Sequence, residues 1–230
     1  YGGIYREVWL EYTHSVFVRN MQLKTLQAEN DTRRVNADVY IDNAQGVKGD
    51  FMLRFELAGR DGVTAVHEQP VRLSGVAEEK FTVLFDAGDV ALWSLNQPNL
   101  YTLAVKLVGG DGPVDEYTAR FGFRNARFTP DGFYLNGERI KLCGLNRHQS
   151  YPYVGYAMPG SAQRRDAEIL KRELGVNLVR TSHYPQSKHF LDRCDELGLL
   201  VFEEIPGWQH IGEGDWKQNA VRSVEEMVAA

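Results

Sequence analysis

Phe133-Tyr134-Leu135-Asn136-Gly137-Glu138-Arg139-Ile140-Lys141-Leu142-Cys143-Gly144-Leu145 is the stretch on which the reading of this chain turns. Its first half is a hairpin signal, because Asn136-Gly137 accepts the positive φ angles that a two-residue type I′ turn demands. Its second half, Ile140 to Leu145, is a nearly continuous apolar run. A strand that is apolar throughout has to be covered on both faces, as parallel strands joined by helices are. The periodicity of the chain should therefore differ on the two sides of this stretch.

On the N-terminal side, from about residue 14 to 125, the period is two. Val35, Ala37, Val39 and Ile41 alternate with polar neighbours, as do Phe51, Leu53, Phe55 and Leu57, then Phe81, Val83 and Phe85, then Tyr101, Leu103, Val105 and Leu107. Turn chemistry separates them at Asn43 to Gly49, Asp61-Gly62 and Gly109 to Pro113. About seven short strands in this span is the count of an immunoglobulin-like antiparallel β-sandwich. Val8, Leu10 and Tyr12 alternate with Trp9 and Glu11 as in a further strand already under way at the start of the chain.

On the C-terminal side, apolar runs alternate with helical faces. Ser161 to Leu174 reads as a helix with Ala167, Leu170 and Leu174 on one face, followed by Gly175 as a C-cap residue. Val176 to Val179 is the next strand, and Phe190, Leu191, Cys194 and Leu197 line a second helix that ends at Gly198. Leu199 to Phe202 is a third strand, and residues 216 to 228 begin a third helix. Successive strand and helix units suit a (β/α)8 barrel or a doubly wound sheet. Gly144-Leu145-Asn146-Arg147-His148 has no G-x-G-x-x-G pattern, which points to the barrel.

Composition narrows the partners. The 230 residues carry a formal net charge of −5, with 43% hydrophobic and 25% charged side chains, as in an ordinary globular protein. No block of Lys or Arg is present to neutralise a row of phosphates, so no nucleic acid is expected. No stretch approaches the roughly 20 apolar residues that cross a bilayer, so no membrane is expected either. Two cysteines, Cys143 and Cys194, do not suggest a disulfide framework. Both are expected to be buried free thiols in a reducing, cytoplasmic compartment.

In a barrel, the residues that act lie at the C-terminal ends of the strands. Here those ends carry Asn146-Arg147-His148, then Arg180-Thr181-Ser182-His183-Tyr184-Pro185, then Glu203-Glu204-Ile205-Pro206-Gly207-Trp208-Gln209-His210. Imidazole, guanidinium, carboxylate and an indole face suit a sugar, whose hydroxyls need donors and acceptors and whose C–H face packs on an aromatic ring. Plainer roles compete: Arg180 can serve as a barrel ion pair with Glu203 or Glu204, and Trp208 as packing. His14, His67 and His189 have no comparable setting and read as surface residues.

The order of these motifs carries a resemblance. Leu92-Trp93-Ser94-Leu95-Asn96-Gln97-Pro98-Asn99-Leu100-Tyr101, Phe121-Gly122-Phe123-Arg124, Leu135-Asn136-Gly137, Gly144 to His148 and Arg180 to Pro185 are similar to successive signatures of the family 2 glycoside hydrolases. Tyr1-Gly2-Gly3-Ile4-Tyr5-Arg6 resembles the end of that family's preceding jelly-roll domain. The resemblance implies an internal piece of a longer chain: residues 1–13 closing the jelly roll, 14–125 the immunoglobulin-like sandwich, and 126–230 the first strand and helix units of a (β/α)8 TIM barrel. It implies a retaining β-glycosidase acting on terminal β-linked sugars, compatible with a homo-oligomer. A non-catalytic carbohydrate-binding or protein-interaction sandwich is the alternative.

The same resemblance assigns roles. His148 and His183 match histidines that line the sugar subsite, and Arg180 matches an arginine that hydrogen-bonds the nucleophilic glutamate. Asn146 and Arg147 match neighbours that shape that subsite. Trp208 is expected to help bind the substrate. Gln149-Ser150 stands where β-glucuronidases carry an acidic pair, which favours β-galactosidase. Where β-galactosidases of the family hold magnesium with Glu-x-His, this chain has Trp208-Gln209-His210; a hard cation prefers oxygen, so His210 alone is a weak metal ligand and no cofactor is expected. The resemblance places both catalytic carboxylates beyond residue 230. Glu203 and Glu204 are adjacent, point to opposite faces, and cannot form the pair.

Overall fold

The computed structural model describes residues 3–27 and 33–229, so Tyr1-Gly2 of the opening motif lies outside the described residues. The chain divides into two compact units. One comprises residues 10–93 and 99–125; the other comprises residues 3–9, 94–98 and 126–229.

The first unit is the sandwich. Its seven strands are β1 (Phe17–Gln27), β2 (Arg33–Asp42), β3 (Gly49–Gly59), β4 (Gly62–Leu73), β5 (Glu78–Gly88), β6 (Tyr101–Gly109) and β7 (Gly112–Phe121). They form two antiparallel sheets of order β1-β2-β5 and β4-β3-β6-β7. The alternation seen in the sequence becomes the core: Val35, Ala37, Val39 and Ile41 face Leu53, Phe55, Leu57, Leu103, Val105 and Leu107, all fully buried. The Phe121 to Arg124 motif has a packing reason. A side chain at Gly122 would collide with Trp93, whose backbone N–H donates to the Phe123 carbonyl at 2.7 Å and whose indole lies 5.6 Å beneath the Arg124 guanidinium.

In the second unit, β8 (Ala126–Thr129), β9 (Gly132–Leu135) and β10 (Glu138–Ile140) make an antiparallel meander. Asn136 and Gly137 have φ of 53° and 87°, as a type I′ turn requires. Then β11 (Gly144–Arg147), β12 (Leu178–Thr181) and β13 (Leu200–Phe202) pair in parallel, with Asn146, Arg180 and Phe202 in one row. Helix α1 (Gly160–Glu168) runs into a π-helical turn, Ile169–Glu173; α2 (Lys188–Leu197) and α3 (Asp215–Ala229) follow. Ala167, Leu170, Val179, Phe190, Cys194 and Leu199 close a second core between strands and helices. Gly198 caps α2 in the left-handed region (φ 71°), and a side chain there would strike the Leu95 carbonyl.

Several expectations need correction. The run Ile140 to Leu145 is not one strand: Ile140 closes β10 and Gly144 opens β11. Between them Asn177 ties down the backbone, accepting from Cys143 N at 2.8 Å and donating to Lys141 O at 2.9 Å. Cys143 is exposed; Cys194 alone is buried, and burial pushes its thiol well up. The second strand runs to Thr181, which takes Arg180 into the sheet. Leu174 turns outward at 55% exposure because the π turn rotates the face beyond Leu170. Residues 8–12 form no strand, since nothing among the described residues pairs with them. His67 is half-buried rather than fully exposed: its ring stacks on Phe85 at 5.2 Å and 8°, with Phe55 at 6.2 Å, and its Nε2 is buried without a partner.

A buried polar atom left unpaired costs about 1–3 kcal/mol. His67→Phe keeps the ring stack and removes that atom, so urea unfolding of the sandwich should show a gain of about 1 kcal/mol.

Candidate functional site

Strand parity decides which side chains reach the mouth of the parallel sheet, because successive residues point to opposite faces. Asn146 and Arg180 share one face, and the Asn146 Oδ1 accepts from Arg180 Nη1 at 3.4 Å. Arg180 Nε donates to the Glu204 carboxylate in a tight ion pair. Glu204 is fixed in turn through its backbone N–H, which donates to Thr181 Oγ1 at 3.1 Å. Its other oxygen lies 3.2 Å from His183 Nδ1, and Arg180 Nη2 lies 3.3 Å from the same nitrogen. A carboxylate only accepts and a guanidinium only donates, so the two contacts ask opposite things of Nδ1, a proton toward Glu204 and a lone pair toward Arg180, while Nε2 points away from both.

The aromatic groups gather around His183. Its ring stacks on Trp208 at 4.6 Å and 17°, and meets His148 edge-on at 5.2 Å and 80°. Trp208 is 57% exposed. The result is a wall of two imidazoles and an indole beside a guanidinium and a carboxylate. Such a wall offers hydroxyl partners and a flat apolar face side by side, which is the chemistry of sugar recognition.

Arg147 does not join this wall. It lies on the opposite parity, 6% exposed, with its guanidinium turned into the helix layer. There it donates to Asp166 Oδ2 at 2.9 and 2.8 Å and to Gln163 Oε1 at 2.7 Å, both on α1. It also donates to Gln186 Oε1, and it lies 4.0 Å over the Phe190 ring of α2. Burial pushes Arg147 down from its ordinary value, and Asp166 opposes that. Gln149, 1% exposed, is likewise turned inward: its Oε1 accepts from Ser187 N at 2.9 Å, while its own N–H donates to Tyr184 Oη at 3.1 Å. The contrast with an acidic pair at 149–150 therefore lies partly outside the mouth.

Glu203 and Glu204 diverge, as adjacent residues do. Glu203 Oε1 accepts from Gln186 N at 3.2 Å, and burial raises its carboxyl above the ordinary value against the pull of that hydrogen bond and of Arg6. Residues 5–7 dock nearby: Arg6 donates to Pro185 O at 2.9 Å, Glu7 meets His189 at 3.1 Å, and Tyr5 lies 6.0 Å from Tyr156. Gln186 is a contributor the sequence did not single out. The available signal was polar residues recurring at positions flanking an apolar helix.

The Trp208-Gln209-His210 triplet does not fit a hard cation. Its donors are an amide and an imidazole, and the His210 ring is engaged with Trp216 at 5.5 Å and 75°. Among the described residues, no group of three or more His, Cys, Asp or Glu side chains is placed to hold a metal ion.

Two family models match in sequence: "Glycosyl hydrolases family 2" over residues 16–124 and "Glycosyl hydrolases family 2, TIM barrel domain" over 127–226. A β-galactosidase of Thermoanaerobacterium thermosulfurigenes is 48% identical over 99% of this chain and 32% of its own length. A putative β-glucuronidase of Formosa agariphila is 34% identical over 99% of this chain and 27% of its own. The crystal structure of Bacteroides uniformis β-glucuronidase superposes with a TM-score of 0.89 at 29% identity, over 99% of this chain and 29% of that one. The chain thus spans about a third of the length of the relatives it matches.

Two outcomes follow from the buried groups. Arg147→Met leaves the Asp166 carboxylate and two amide oxygens without their donor, and denaturant unfolding should register a loss of about 3 kcal/mol. Glu203 has a folded pKa above its ordinary 4.5, so its protonated form favours the fold and that contribution is lost as pH rises through the folded value. Glu203→Gln should accordingly be more stable than the unsubstituted chain at neutral pH. The difference should shrink to nothing as pH falls below 4.5.

Proposed function

Because this chain belongs to glycoside hydrolase family 2, we propose that it is the sandwich and first barrel portion of a retaining β-glycosidase that removes terminal β-linked sugars, with β-galactosides preferred. The observation that carries the proposal is the meeting of His148, His183 and Trp208 where three parallel strands end. The Trp208 face not covered by His183 is open to the C–H face of a sugar, and the two imidazoles add ring nitrogens for hydroxyls at the same mouth. Binding of this kind holds the glycosidic bond in place but does not break it.

Retaining hydrolysis needs a nucleophile and an acid/base carboxyl about 5–5.5 Å apart. Glu203 and Glu204 are turned to different sides, and both are engaged within the barrel unit. The proposal therefore assigns both catalytic carboxylates to chain beyond residue 230. Arg180 has five N–H donors; with Nε on Glu204, its terminal nitrogens suit a second carboxylate, the nucleophile, kept ionised by the neighbouring positive charge. Two considerations support galactoside over glucuronide. A glucuronide carboxylate calls for a cation of its own, and on this reading Arg180 is already shared between Glu204 and the nucleophile. The β-galactosidase relatives also reach 48% and 42% identity, against 34% for the putative β-glucuronidases.

The test compares this 230-residue chain with a longer chain continued to the length of the relatives, each given nitrophenyl β-galactoside and nitrophenyl β-glucuronide. The short chain should turn over neither, and the long chain should prefer the galactoside. Turnover by the short chain would remove the assignment of the carboxylates, and a glucuronide preference would reverse the substrate.

A further inference from the structure

His183 sits on a segment, residues 182–187, that has neither strand nor helix structure of its own yet carries buried residues at Ser182, Gln186 and Ser187. Something other than a ladder has to fix it. Gln186, 4% exposed, touches all three strand ends: its Oε1 accepts from Arg147 at the end of β11, its Nε2 donates to Tyr184 O at 3.1 Å just past β12, and its backbone N–H donates to Glu203 just past β13. We propose that Gln186 is a positioning residue of the sugar site, holding His183 against Trp208 and Glu204. The proposal rests on the glycosidase reading above.

The side-chain type follows from its partners. A guanidinium only donates and a carbonyl only accepts, so the residue between Arg147 and Tyr184 must accept at one atom and donate at another. Glutamine does both; glutamate loses the donor, and leucine or methionine loses both. Gln149 braces the same segment from the other side through Ser187 N and Tyr184 Oη. Gln186 is buried behind the mouth rather than exposed in it. Its effect passes through the backbone of Tyr184 to the adjoining His183.

A displacement of about 1 Å at a site can cost on the order of a hundredfold in rate. In the longer enzyme that contains this chain, Gln186→Met is expected to lower kcat on nitrophenyl β-galactoside by at least about tenfold with KM within about twofold, the pattern of a contact that matters in the transition state. Gln186→Glu, which keeps the acceptor for Arg147, should fall between the two and carries the test if the methionine variant does not fold. The control is Gln163→Met, which removes another acceptor of Arg147 but on α1, away from the segment. It should lose comparable stability and keep kcat within about threefold. Equal losses of kcat in the Gln163 and Gln186 variants would make the effect merely structural and overturn the proposal, as would unchanged kcat in Gln186→Met. An unsubstituted enzyme that hydrolyses no β-glycoside would instead sink the glycosidase reading, and this proposal with it.

Discussion

A guanidinium has five donors and no acceptor, and burying one is costly unless its donors are met. Arg147 is buried all the same, between β11 and the two helices packed on it, and its partners come from α1 and from the segment leading into α2. The arrangement of the barrel portion follows from satisfying this one group. Asp166 and Gln163 set the rotation of α1, Gln186 sets the path from β12 to α2, and Phe190 supplies an aromatic face over which the cation lies. The register of the parallel ladder, which pairs Asn146 with Arg180 and Arg180 with Phe202, sets the strand ends at the same height, the condition for side chains from three strands to meet.

A second layer of charge works between the helices. Arg193 of α2 donates to Glu168 of α1 at 2.6 Å and to Glu196 at 2.8 Å, and Arg164 reaches the same Glu196 at 2.8 Å. Side-chain hydrogen bonding with Arg193 is the main reason Glu168 lies below the ordinary carboxylate range. These contacts are partly exposed, so each is worth little alone; their value is in fixing how the two helices face each other. Lys171, on the π turn, donates to the Leu95 and Gly198 carbonyls at 2.8 Å and has no carboxylate partner in that contact. Burial accordingly pushes its ammonium below the ordinary lysine value.

The sandwich was legible residue by residue because alternation of apolar and polar side chains is a local signal, and every apolar position of Val35 to Ile41 went to the core. The parallel strands were legible as elements but not in their limits. Asn177 and the π turn shift the boundaries through side-chain and backbone hydrogen bonds that no periodicity announces. In the site, His148, His183, Arg180 and Trp208 could be gathered because strand ends in a barrel converge. The inward turn of Arg147 and Gln149 could not, since their hydrogen-bond partners lie up to 39 residues away in the chain. His67 shows the converse: a polar residue in a strand reads as exposed, while Phe55 on the paired strand and Phe85 on the facing sheet hold the ring half-buried.

Parity gives each strand end two clients. Asn146 serves the mouth and Arg147 the helix layer; His183 and Glu204 serve the mouth, while Gln186 and Glu203 serve the joint behind it. Inserting or deleting a single residue in β11 or β12 would exchange these clients wholesale, putting a charged cluster into solvent and a recognition group into the apolar layer. Changes in length are thus closed to these strands as a route of divergence. Substrate preference in such a scaffold can drift only through substitutions in place or through the longer loops beyond the strand ends, where adding residues moves nothing underneath.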